Sequence, residues 1–236
     1  MKKTIALGAI SAAALTGFAY SEIESSFHVG YNSTYVWRGQ DLGDSMYEYG
    51  LDFAGSCECG LDWAAGVWYA NPSDGALNDE LDIYGAVSKD LGYGSVELGF
   101  IHYEFDENGA DNTEIYLGLG AAYAGIDLGA ALYYVVDGSL GGNPLYGELS
   151  AEYGYDVSDA LSVSFGLSLG SYLDGDDVVD GYTTYGARLG ADYAISEDLT
   201  LSPYVAYSET DNYNAGFMGV DDFSGFFGGV SLAFSF

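Results

Sequence analysis

The stretch S-G-F-F-G-G-V-S-L-A-F-S-F, residues 224–236, decides how the rest of the chain is read. From Val230 onward a large apolar residue stands at every second position: Val230, Leu232, Phe234 and Phe236. Between them lie Ser231, Ala233 and Ser235, all small. A period of two is the mark of a strand with one apolar and one polar face. A strand of this kind that stops on an aromatic residue suits the closing strand of a bacterial outer-membrane barrel, with one face on lipid and its end at the interface. A buried edge strand of a soluble sandwich is the competing reading of this stretch alone.

The other end of the chain favours the barrel. Met1, Lys2 and Lys3 form a short basic region, residues 4–16 are an apolar run, and small residues follow around Ala19 and Ser21. This is the pattern of a secretory signal peptide, too short for a membrane-spanning anchor helix. The expected organisation is therefore a cleaved signal over 1–21 and a single barrel domain over 22–236. Low Pro (3 residues) with abundant Tyr (23) and Gly (35) suits long uninterrupted strands. The formal net charge is −31, and removal of Lys2 and Lys3 makes it −31 − 2 = −33. Such a surface repels nucleic acid. The aromatic content and the alternation argue against an acidic disordered chain.

Twelve alternating runs can be placed, near 25–38, 45–55, 61–70, 80–88, 95–104, 113–123, 125–136, 145–155, 161–172, 182–193, 199–208 and 224–236. A tilted strand needs about 9–11 residues to cross a bilayer, and the runs are long enough. The ninth is the clearest: Leu161, Val163, Phe165, Leu167 and Leu169 alternate with Ser162, Ser164, Gly166, Ser168 and Gly170. In the first, Phe27, Val29, Tyr31, Tyr35 and Trp37 share one phase, with His28, Asn32, Thr34 and Arg38 in the other. The connections alternate in length. Those after even-numbered runs are short, whereas those after odd-numbered runs are longer and rich in Asp, Asn and Gly, apart from residues 39–44. Short periplasmic turns and long external loops are the outer-membrane pattern. The expected fold is thus all-β: a transmembrane antiparallel up-and-down barrel of about 12 strands.

Ten acids fall inside the runs once Glu80 and Glu104, at run ends, are counted with the loops: Glu48, Asp52, Asp62, Asp82, Glu97, Glu114, Asp127, Glu148, Glu152 and Asp192. All lie out of phase with the apolar stripe of their run, as do Arg38 and Arg188. A basic residue on the lipid face costs up to about 2–4 kcal/mol at the midplane, an acid less. These twelve residues are the candidate pore-lining set. Asp52, Asp62, Glu97, Asp127, Glu152 and Asp192 gather toward the periplasmic end, and rings of acids favour cations. Arg38 is expected to bridge to Glu48 on the next strand, with a constriction role as the alternative. Trp37, Tyr47, Tyr69, Tyr134 and Tyr207 form an expected external aromatic belt, and Phe27, Phe53, Trp63, Tyr123, Tyr153, Tyr193 and Phe236 a periplasmic one. Small lumen residues such as Gly118, Gly166 and Ser168 leave room for water; alternatively they let Tyr116 and Tyr133 lie flat and fill the interior.

The segment Ser33-x-Tyr35-Val36-Trp37-Arg38-Gly39, within residues 27–45, resembles the TorF-type porin family of exported bacterial barrels. The alternating C-terminal strand resembles the signal by which such barrels are recognised, so the barrel-assembly machinery is an expected partner. The resemblance implies a bacterial outer-membrane barrel, and a porin-like channel in contact with outer-membrane lipid. Passive diffusion of small hydrophilic solutes, with cations preferred, is the expected function; a non-conducting structural or adhesive barrel displaying acidic loops is the alternative. Cys57 and Cys59, in a periplasmic turn, can pair in an exported protein. Two cysteines are too few for a metal site. Asp174-Gly-Asp-Asp177 with Asp180 lacks the spacing and terminal Glu of an EF-hand loop and reads as a solvated acidic loop. No cofactor is implied. His28 and His102 have no neighbouring serine and acid of the triad kind, so no enzyme is expected.

Overall fold

A computed structural model describes residues 23–73, 79–105, 111–138, 144–174, 182–211 and 221–236. The expected signal peptide lies outside the described residues. Twelve strands follow: β1 Glu24–Trp37, β2 Gln40–Ser56, β3 Asp62–Asn71, β4 Glu80–Asp90, β5 Ser95–Phe105, β6 Asn112–Tyr123, β7 Ile126–Gly138, β8 Leu145–Ser158, β9 Leu161–Asp174, β10 Thr183–Ala194, β11 Leu199–Asp211 and β12 Gly225–Ser235. Each pairs antiparallel with its sequence neighbours, and β12 closes onto β1 through pairs such as Val29↔Leu232 and Asn32↔Gly229. Closure leaves no sheet edge, which is what allows a sheet to sit in lipid with every backbone group paired. The chain is an up-and-down barrel.

An even number of strands puts both chain ends at one rim, called here the terminal rim. Its connections are residues 57–61, 91–94, 124–125, 159–160 and 195–198. Those at the distal rim are longer, apart from residues 38–39. Residues 175–181, which hold most of the acidic segment running from Asp174 to Asp180, lie outside the described residues. Two turns of two residues stand at opposite rims. Arg38 and Gly39 (φ 49° and 75°) close β1–β2, and Ala124 and Gly125 (φ 53° and 84°) close β6–β7. Both have positive φ at each central residue, the arrangement whose twist matches that of a hairpin. In the β2–β3 turn a disulfide joins Cys57 and Cys59, with their Cα atoms 5.1 Å apart.

The outer wall is apolar. Leu98 and Leu189 are 57% and 55% exposed, and Leu149, Leu167, Val205 and Phe234 belong to the same exposed set. A water-soluble surface does not carry an apolar band of this extent. Tyr47 and Tyr134 near the distal rim, and Tyr123, Tyr153 and Tyr193 near the terminal rim, are exposed on this wall.

The first hairpin departs from simple alternation. β2 begins at Gln40, so the segment 39–44 that reads as a loop is mostly strand. The register shifts between Tyr35 and Val36, and Leu42 is left without a Cα partner. Gly43 and Ser45 take positive φ in the same stretch. An extra residue in one strand breaks the two-residue phase and bends the ribbon. Tyr35 and Trp37 turn inward in this stretch, Tyr35 reaching Glu80 and Trp37 joining the buried rings. Trp37 is buried in a ring cluster rather than placed on the lipid belt, which corrects the sequence expectation.

Candidate functional site

The lumen divides into two zones. At the distal end it is packed. Trp37, Leu42, Tyr103, Phe105, Tyr133, Tyr146, Tyr172 and Tyr182 form one buried cluster. A chain of aromatic contacts runs along the wall from Tyr116 to Tyr133, Tyr146, Tyr172 and Tyr182, with ring centroids 5.3, 6.2, 5.0 and 5.6 Å apart. Glycines make this possible. A Cβ on Gly66, Gly99 or Gly170 would collide with Tyr84, Tyr116 or Tyr146, which lie flat across them. Gly and aromatic residues on neighbouring strands cover one another in this way.

Arg38 sits at the centre of this zone. Its Nη1 and Nη2 donate to Glu114 Oε1 and Oε2 of β6 at 2.8 and 2.7 Å, a two-point pair. The two side chains are only 7% and 1% exposed. The guanidinium carbon lies 4.4, 4.8 and 4.3 Å from the ring centroids of Trp37, Tyr133 and Tyr146. Tyr103 Oη donates to Glu114 Oε2 at 3.2 Å. The expected bridge to Glu48 is therefore wrong. From its two-residue turn, with φ 49°, Arg38 reaches across the barrel to β6, not along β2. Glu48 instead accepts from Trp68 Nε1 at 3.2 Å.

The tip that carries Arg38 is held by its backbone. The Arg38 carbonyl accepts from Tyr182 Oη. The Gly39 carbonyl accepts from Thr210 Oγ1 at 3.1 Å and from Phe223 N at 2.8 Å. Asp41 N donates to Asp221 O at 3.0 Å, and Gln40 bridges to Asp222.

Tyrosines, not arginines, satisfy many lumen carboxylates. Tyr35 Oη donates to Glu80 at 2.8 Å, Tyr116 Oη to Glu97 at 2.9 Å, and Tyr84 Oη to Asp52. Asp82, two residues from Glu80, is also buried, and Glu148 is half-buried beside Tyr133 and Tyr146. Glu80 belongs to the lumen as well, although its place at a strand end makes it read as loop. The signal available in the sequence is a tyrosine two residues from an acid in one phase: Asp82 and Tyr84, Glu114 and Tyr116, Tyr146 and Glu148.

Toward the terminal rim the lumen opens. Asp192 and Arg188 are exposed, and Asp62, Asp127 and Glu152 are partly so. Arg188 stacks on Tyr204 with the guanidinium carbon 4.4 Å from its centroid, and Ser202 Oγ donates to Asp192 at 2.6 Å. His28 Nδ1 lies 3.5 Å from Asp52 Oδ2. His102, on the outer wall, contacts Thr113 Oγ1 at 2.9 Å. Among the described residues no group of three or more His, Cys, Asp or Glu has the geometry to hold a metal ion.

Comparison with protein-family models and with curated proteins finds no match. Solved structures do match. The NanC porin is similar with a TM-score of 0.55 and 15% identity, over 89% of this chain and 98% of that one. An outer membrane channel from Pseudomonas putida F1 gives a TM-score of 0.56 at 12% identity, over 92% and 97%. The translocator domain of the autotransporter NalP from Neisseria meningitidis gives 0.55 at 15%, over 92% and 89%. The fold is that of the outer-membrane barrels. At these identities the likeness speaks for architecture alone, and the same architecture carries different tasks.

Proposed function

We propose that this chain is an outer-membrane channel for passive diffusion of small hydrophilic solutes, with cations preferred and no catalytic role. One observation carries the reading: the open, terminal half of the lumen is lined by Asp62, Asp127, Glu152 and Asp192, with Arg188 the cation among them. Arg38 does not offset these acids, because its charge is matched by Glu114. Carboxylates lining a narrow passage attract cations and repel anions. The likeness to porins, and the resemblance of residues 27–45 to TorF-type porins, are in keeping with this reading.

The packed distal zone favours a second reading, a non-conducting barrel that displays its distal loops. Planar-bilayer recording in a KCl gradient separates the two. The channel reading expects current with a reversal potential on the cation-selective side. Anion preference would sink the selectivity. Silence from both the wild-type protein and Arg38→Ala would sink the channel and leave the displaying barrel.

A further inference from the structure

We propose that the pocket around Glu114 is a binding site for guanidinium groups, filled in the resting protein by the chain's own Arg38, and that solutes bearing a guanidinium compete for it. The inference rests on the channel reading for its consequence but not for its chemistry.

The pocket has the parts such a ligand needs. Glu114 presents one carboxylate oxygen to each terminal nitrogen of a guanidinium. That two-point geometry matches a planar fork and not a compact ammonium. The rings of Trp37, Tyr133 and Tyr146 face the cation at 4.3–4.8 Å, close enough for cation–π attraction in a site shielded from water. Tyr103 holds Glu114 from behind. The acid and two of these rings stand on β6, β7 and β8, whereas Arg38 arrives from the β1–β2 turn across the lumen. The receptor is therefore built without the strand that delivers the occupant, except for Trp37.

The occupant also fills the middle of the packed distal zone. Its turn is tied by backbone groups to Tyr182, Thr210 and Phe223, so the side chain is the part free to leave. A tethered group has an effective concentration of about millimolar or more. Free guanidinium should thus displace Arg38 poorly in the wild-type protein and bind readily once Arg38 is removed.

The test uses the full chain refolded in detergent and in planar bilayers, with guanidinium chloride as the probe and equal NaCl as the control. In Arg38→Ala, guanidinium should change tryptophan emission with a midpoint at least about tenfold lower than in wild type, the gain expected when a buried charge pair must no longer be displaced. Trp37→Phe in the Arg38→Ala background should remove that signal, and Glu114→Gln should abolish saturation. In bilayers, Arg38→Ala should carry more current than wild type and be blocked again by guanidinium. If Arg38→Ala does not refold, Arg38→Lys replaces it, because an ammonium cannot reproduce the two-point pair, and guanidinium should displace it at lower concentration than it displaces arginine. Equal responses to guanidinium and NaCl, or an unchanged midpoint with Glu114→Gln, would overturn the site. Saturable emission change with a silent bilayer would instead overturn the channel and keep the site.

Discussion

Single residues in this barrel are chosen by what lies flat against them. Gly170 is overlain by Tyr146 and lies near Thr184, whereas a Cβ on Gly154, further down the same wall, would meet nothing within 4 Å. Gly170→Ala must push Tyr146 out of the aromatic run, an overpacking that costs about 1–3 kcal/mol. Gly154→Ala should be close to neutral. Urea unfolding of the two variants in the same detergent checks the contrast, and equal midpoints would show that the ring has room to move. Tyrosine hydroxyls make a second claim at this scale. Tyr116→Phe removes the donor to Glu97 and leaves a half-buried carboxylate short of a partner, a loss of about 1–3 kcal/mol. Tyr123→Phe, on the exposed outer wall, should change little in the same measurement.

At the scale of the strand, alternation is the whole instruction, and its failures are local. β9 reads correctly because Leu161, Val163, Phe165, Leu167 and Leu169 never lose phase, and their neighbours on β8 and β10 repeat the pattern. Leu167→Arg puts a charge on the lipid face and should cost about 2–4 kcal/mol near the midplane. Ser168→Arg, one residue on, points into the lumen and should fold normally while moving the reversal potential toward anions. Refolding yield for the first and bilayer recording for the second test the register; a foldable Leu167→Arg would invalidate the assignment of faces. β1 fails the same logic at one place. Phe27, Val29 and Tyr31 keep the phase, but by Tyr35 it has inverted, so Tyr35 and Trp37 face inward. Nothing in the spacing of Tyr35 and Trp37 announces that Leu42 will be left over on the opposite strand. The Arg38–Glu114 pair was illegible for a different reason. It joins residues separated by 76 positions across the lumen, and a sequence read strand by strand weighs only neighbours such as Glu48. That these acids stand off the apolar wall was legible, because an acid out of phase with an apolar stripe has one place to go.

For the molecule as a whole, conduction requires some part of the packed distal end to move if the barrel is a channel. The barrel wall is a closed ladder of twelve pairings and offers no cheap displacement. The β1–β2 turn is tied to the segment 221–223 by the Gly39 and Asp221 carbonyls and by the Gln40–Asp222 bridge, so its backbone is anchored to the rim. That leaves the Arg38 side chain, held by Glu114 and the rings. Paired residues of an antiparallel bridge lie within the span of a disulfide, about 4.4–6.8 Å between Cα atoms. Gln40→Cys with Asp222→Cys, in a Cys57→Ser, Cys59→Ser background, therefore locks the turn to the rim without distorting it. If the side chain is the moving part, the locked Arg38→Ala protein conducts as well oxidised as reduced. If the turn itself must swing away, the oxidised protein is silent and reductant restores the current. The anchored backbone predicts the first outcome, and current that appears only on reduction would place the movement in the hairpin instead.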